Sequence, residues 1–347
     1  MEKKIDLRVP RGWNECTTDQ LETIAKVLLE QVASVDRYHP FSIETVKIAL
    51  FFAFTGIEIV EAPNPEKPVS EQAYLCRLGN SLFPLNISDI QYWISRKADA
   101  KMEKDSTEYL LSGAGVLDWI DGKTDNMLTR FPYPTLTRRK HSDRFFSFFR
   151  EKKIFQGPGQ EMDGLSWAQY RFAVDAMEQY LHLSNSLVVM KERGGYSAEQ
   201  FALQVKNVNL AKSYFLATIF NAKVDFVDVS TGMICNGFHY KAQQTTENAA
   251  FFFDFPEYQW QVVLFWWSGM MHMLNKRYPR VFKVQKVKKR AEKQSPFDIY
   301  SATIATMQKY VGVNEKECNN QSYSLVLEQM ERMSKENEEL ERLNKKK

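Results

Sequence analysis

The chain has 347 residues, 44% of them apolar and 13% aromatic, enough for one large domain or two ordinary ones and too apolar for an intrinsically disordered chain. Its 46 Lys and Arg are nearly balanced by 43 Asp and Glu. The resulting net charge of +3 excludes whole-molecule attraction to nucleic acid or membrane, so any such attraction must come from a local patch.

Helix signals dominate the chain in order. In "CTTDQLETIAKVLLEQV", Thr17 can cap a helix start with Gln20 reaching back, and Leu21, Ile24, Ala25, Leu28 and Val32 then share a face. "FSIETVKIALFFAFTG" starts at a Ser42 cap, stops at Gly56, and is apolar nearly all round, as a buried helix is. The proline-rich "EAPNPEKP" is a loop. From Val69 to Arg130 the signals shorten, and helices are expected near Ile87–Ala100 and Ser106–Ile120. "RFPYPTLTRRKHSDRFFSFFREKK" reads as mixed loop and helix, and the Gly-rich "FQGPGQEMDG" as a loop.

Two further helix starts follow, with boxes of Ser166 with Gln169 and Ser197 with Gln200. In the first, Trp167, Tyr170, Val174, Met177 and Leu181 form the expected buried stripe. "KVDFVDVSTGMICNGFHYKA" alternates Val and Phe with Asp around a turn signal and predicts a small hairpin near 223–242. "SPFDIYSATIATMQKYVG" returns to helix, with a Ser295 cap, Pro296 in the first turn and Gly312 after the stop.

The stretch "VVLFWWSGMMHMLNKRYPRVFKVQKVKKR" joins an apolar run to a basic one. Trp260, Val263, Leu264, Trp267, Met271 and Leu274 share a helical face, while Gln261, Ser268, His272 and Asn275 line the other. That polar stripe, and a run shorter than the ~20 apolar residues of a span, favour a core helix over a membrane anchor. No His, Cys or carboxylate stands three or four residues from His272, which therefore reads as a polar-edge histidine and not as a metal ligand. "CNGFH" (Cys235, His239) has a finger-like gap without a matching second pair. No cofactor or metal is expected. The four cysteines, Cys16, Cys76, Cys235 and Cys318, are too scattered for a disulfide framework and suit a reducing compartment, so the chain reads as cytoplasmic.

Two basic clusters could face a polyanion. One, at 138–153, holds Arg138, Arg139 and Lys140. The other, at 276–290, has eight Lys or Arg and no acid, among them Arg280, Lys283, Lys286, Lys288, Lys289 and Arg290. The bland reading is a solvated exit from a buried helix. Motifs for dinucleotide, phosphate-loop, zinc-protease or nucleophile-elbow chemistry are absent, so the chain is not expected to be an enzyme. At the C-terminus, Tyr323, Val326, Met330, Met333 and Leu340 follow a 3–4 spacing on a polar helix, with Asn337 in the seam. Two readings stay open for this stripe: it docks on its own domain, or it binds a protein partner.

Several stretches together, "GWNECTTDQLETIAKVLL", "GPGQEMDGLSWAQYRFAVDAMEQYL", "YPRVFKV" and "SPFDIYSATIATMQKYVGVNEKECNNQSYSLVLEQMERM", resemble a group of proteins encoded by phages and prophages of gut Bacteroidetes. They cover about a quarter of the chain, in matching order. The resemblance implies a protein of the virion morphogenesis region, an assembly factor for the tail acting like a tail-assembly chaperone. It carries no site residues onto this chain.

The sequence thus predicts a mainly α fold: a multi-helix body with one small β-hairpin and a polar C-terminal helix. The expected parts are a helical segment 1–156, a second at 165–312 containing the hairpin, and a polar segment 313–347. The expected function is non-enzymatic, a virion-assembly protein working by protein–protein contact, with a nucleic-acid-binding module as the alternative and no membrane partner.

Overall fold

The computed structural model describes residues 9–35, 40–68, 71–94, 117–121, 126–141, 151–228, 231–282, 304–305, 307–309 and 311–344. They form two compact units, the first from residues up to Pro132 together with Glu257–Gly269, the second from Tyr133–Pro256 together with residues from Met270 on. The first boundary falls after Pro132, and the residues of one helix are divided between the units.

In the first unit, α1 (Thr18–Ala33) and α2 (Ile43–Thr55) start at the Thr17 and Ser42 caps, and Thr17 completes its box with Gln20. Gly56 stops α2 in the left-handed region, at φ 66°. Strands β1 (Glu58–Glu61), β2 (Ala73–Leu78) and β3 (Ser81–Asn86) then form an antiparallel sheet in that order, followed by α3 (Ile87–Ile94). The core gathers Trp13 against Trp119 at 5.0 Å and against Phe265 at 5.1 Å, and Phe131 against Trp266 at 4.6 Å between ring centres. Lys47 is buried on α2 and is held by Asp118 at 3.2 Å and Asp121 at 2.8 Å, as a cation taken out of water requires.

In the second unit, β4 (Thr135–Arg139), β5 (Lys152–Gln156), β6 (Asn221–Val227) and β7 (Ile234–His239) form an antiparallel sheet in chain order. Between β5 and β6 run α4 (Trp167–Arg193) and α5 (Ala198–Ile219), both with complete capping boxes. Gln169 of the first box is buried and donates to Thr218 O at 3.1 Å and Asn221 Oδ1 at 2.9 Å, tying the start of α4 to the end of α5. After β7 come α6 (Thr245–Ala249), α7 (Glu257–Arg277), α8 (Glu315–Asn320) and α9 (Tyr323–Asn344). Phe155 of β5 meets Phe251 and Phe252, and Phe252 stacks on Phe220 at 5.3 Å, forming the aromatic core of this unit.

The mainly α expectation is therefore corrected. Two antiparallel sheets, of three and four strands, make the fold mixed α/β, and the hairpin expected near 223–242 is β6 and β7, half of the larger sheet. The "mixed loop and helix" after Arg130 contains β4 and β5. The helix expected near 87–100 is described over Ile87–Ile94, and that expected near 106–120 lies outside the described residues up to 116, with a single 3-10 turn at Asp118–Asp121. Most of the helix expected from Ser295 to Gly312 also lies outside them. Among the described residues, no helix is long and apolar enough to cross a membrane.

Candidate functional site

The site residues expected from the sequence that the structure describes all lie in the second unit. The two halves of the C-terminal stripe have different surroundings. Tyr323 is 2% exposed, its ring lies 5.4 Å from that of Tyr170, and its hydroxyl donates to the carbonyl of Glu161. Burial pushes the Tyr323 hydroxyl up to about 12. Val326 and Leu327 are buried beside it, and Met330 and Met333 are half-buried. Leu340 is 58% exposed and Leu343 61%. The beginning of the stripe thus packs into its own unit, and its end is uncovered among the described residues.

The basic clusters divide in a similar way. Arg138 sits directly opposite Lys153 across β4 and β5, and Arg139 opposite Lys152, so part of the cluster at 138–153 is two cross-strand rungs of like charge. The repulsion is relieved by partners. Arg138 pairs with Asp254 at 2.9 Å and donates to Phe251 O, and Lys153 donates to Asn248 Oδ1 at 2.9 Å. Lys140 comes within 4.0 Å of Glu151, while Arg139 is exposed. Arg280, in the second cluster, is clamped by Glu331 at 2.9 Å and Glu338 at 3.1 Å of α9, and the backbone N–H groups of Arg280 and Val281 also donate to Glu331. Lys283, Lys286, Lys288, Lys289 and Arg290 lie outside the described residues.

His272 is half-buried, and His239 stacks on Phe226 at 4.8 Å with its ring nearly parallel. Among the described residues, no group of three His, Cys, Asp or Glu side chains is placed to hold a metal ion.

The feature that sequence reasoning missed is an arm. The stripe Trp167, Tyr170, Met177 is buried as expected, but the same face leaves the core at Leu181. From Glu178 to Leu210 no residue is buried. Over this stretch α4 and α5 support each other: Gln204 donates to Leu183 O at 2.8 Å, and Lys191 lies over the Phe201 ring. Leu181, Val188 and Leu203 are 50%, 51% and 59% exposed there. Helix periodicity could not reveal this, because it reports which face is apolar and not whether anything covers it.

Two depressions flank Tyr214 near the base of the arm. A groove of about 540 Å3 is walled by Val205, Lys206, Asn209 and Leu210 of α5 and, opposite, by Ala250 and Phe253. A cleft of about 340 Å3 on the other side holds Phe172, Asp175, Gln179 and Tyr240. Burial raises the Asp175 carboxyl against the downward pull of Arg171, 3.4 Å away, and burial also raises the Tyr240 phenol. The cleft thus carries a charge-compensated carboxylate. The groove carries Lys206, which has no ion-pair partner among the described residues. Comparison with protein-family models, with curated proteins and with solved structures gave no match.

Proposed function

We propose that this chain is a protein-binding factor whose working surface is the α4–α5 arm, and that in the phage setting implied by the sequence resemblance its partner is a tail component under assembly. The observation that carries this reading is the uncovered apolar residues of the arm between Glu178 and Leu210. Scattered exposed leucines are ordinary, but here a stripe that begins in the core continues along a two-helix extension with no cover among the described residues. Burying each half-exposed Leu or Val against a partner contributes roughly 1 kcal/mol. The helices bring this surface pre-formed, so little ordering entropy opposes binding.

The polyanion alternative has less support. Arg138 and Arg280 are already neutralised by carboxylates of their own unit, and releasing them would break those pairs.

The test is capture of neighbouring gene products by the full chain and by the double variant Leu181→Asp, Val188→Asp. Both positions are exposed, so folding stays intact by circular dichroism while capture falls at least roughly tenfold if the arm carries binding. Unchanged capture by the folded double variant overturns the reading.

A further inference from the structure

The groove beside Tyr214 and the free end of α9 match each other. On α5, Ala202, Val205, Lys206 and Asn209 stand at helical spacings of three and four, presenting a shallow apolar face with one cation. On α9, Glu336, Glu339, Leu340 and Leu343 stand at the same spacings, presenting two exposed leucines beside carboxylates. Glu336 is tied to Arg332 at 3.2 Å, whereas Glu339, like Lys206, has no ion-pair partner among the described residues. Both surfaces belong to the second unit, and among the described residues nothing covers either.

We propose that the groove seats the C-terminal helix end of a second copy of this chain. Leu340 and Leu343 enter between α5 and the Ala250–Phe253 wall, and Glu339 approaches Lys206. This is the helix-in-groove mode, with anchors one turn apart, and the small residues Ala202 and Ala250 let the incoming helix come close. The contact is heterologous: groove and helix are different surfaces, so two chains exchange ends reciprocally or successive chains join head to tail. Its small extent makes it a weak contact that salt weakens further. It goes beyond the arm reading and uses another face of the arm, the α5 residues that line the groove and not the exposed Leu181–Val188 stripe of α4.

Sedimentation velocity of the full chain across the micromolar range tests it. The wild type associates reversibly, and more weakly as salt rises. Lys206→Glu and Glu339→Lys each weaken association roughly tenfold by replacing attraction with repulsion. Mixing the two single variants restores it, because each supplies the surface that the other lacks, and the double variant associates by itself. Leu340→Asp abolishes it. A chain that stays monomeric throughout, single variants that associate like the wild type, or a mixture that fails to recover each overturns the proposal. So does saturable binding of dodecanoate in the groove of a monomeric chain, which would make it a small-molecule seat. The double arm variant Leu181→Asp, Val188→Asp keeps this self-association, so failure of the arm reading is seen separately.

Discussion

Gly269→Ala tests the packing of the first unit most directly. Gly269 lies inside α7, where alanine would ordinarily stabilise a helix by about 1 kcal/mol. Here a Cβ would stand 2.2 Å from the carbonyl oxygen of Leu128, 2.9 Å from its carbonyl carbon and 3.1 Å from its nitrogen. All three are backbone atoms, so no side-chain rotation relieves the overlap. Reaching ordinary contact requires the helix and the Leu128 segment to part by about 1 Å, and a gap of that size forfeits up to half of the dispersion attraction across it. The Phe131–Trp266 contact, at 4.6 Å between ring centres, lies close by in sequence on both sides. Overpacking typically costs 1–3 kcal/mol, and a clash with backbone belongs at the upper end. After the propensity gain is subtracted, a net loss of about 2 kcal/mol is expected. Urea unfolding followed by tryptophan fluorescence measures it as a lower midpoint at unchanged slope. The control Ser268→Ala, at the exposed neighbouring position, should stay within about 0.5 kcal/mol of wild type. A Gly269→Ala protein as stable as wild type, or more so, would refute the close approach of α7 to Leu128.

Other outcomes follow from the same structure. Lys47→Ala strands Asp118 and Asp121 without their cation and should cost about 3 kcal/mol in chemical denaturation, whereas an unchanged midpoint would mean that the pair is not formed in solution. Burial pushes the Cys16 thiol from 9.0 up to about 12, so at pH 8 it should resist iodoacetamide in the folded chain while the half-buried Cys235 reacts first, as peptide mapping would read out. The sign for stability follows from the raised value. The Cys16 contribution is intact below pH 9, where the unfolded thiol is also neutral, and is lost as pH rises towards about 12, where only the unfolded chain ionises freely. Cys16→Ala should flatten that alkaline loss, and an equally steep loss in the variant would argue against the assignment. Tyr323→Phe removes the hydroxyl bond to Glu161 and should cost about 1 kcal/mol in thermal or urea unfolding, and a neutral effect would show that bond to be unimportant.

The strands that sequence reasoning missed had signals that other features masked. β2 and β3 meet across Gly79 and Asn80, with Leu78 opposite Ser81 and Gly79 at φ 58°, so the Gly-Asn dipeptide was a legible two-residue turn. It was obscured because Pro84 lies within β3, and a proline demotes a run read as strand. β4 and β5 were hidden by charge. "TLTRR" and "KKIFQ" alternate only weakly, and their pairing is closed by partners remote in sequence, Asp254 and Asn248. The basic cluster was therefore visible as composition but not as cross-strand neighbours.

The local chemistry of the longer helix starts was legible. The capping boxes at Thr17, Ser166 and Ser197 form as the sequence spacing requires, because a cap involves residues only three apart. The β6–β7 hairpin and the C-terminal helix were likewise written in short-range alternation and spacing. Periodicity also located the apolar faces of α4 and α9. Only tertiary structure decided where those faces stop being covered: Met177 is buried and Leu181 is half exposed on one stripe, and Val326 is buried while Leu340 is exposed on another. It decided too that Arg280 meets Glu331 and Glu338, some fifty residues away. The physical reason is the same in each case. A helix face is fixed by neighbours within two turns, whereas its burial and its charge partners are fixed by whatever the rest of the chain brings against it.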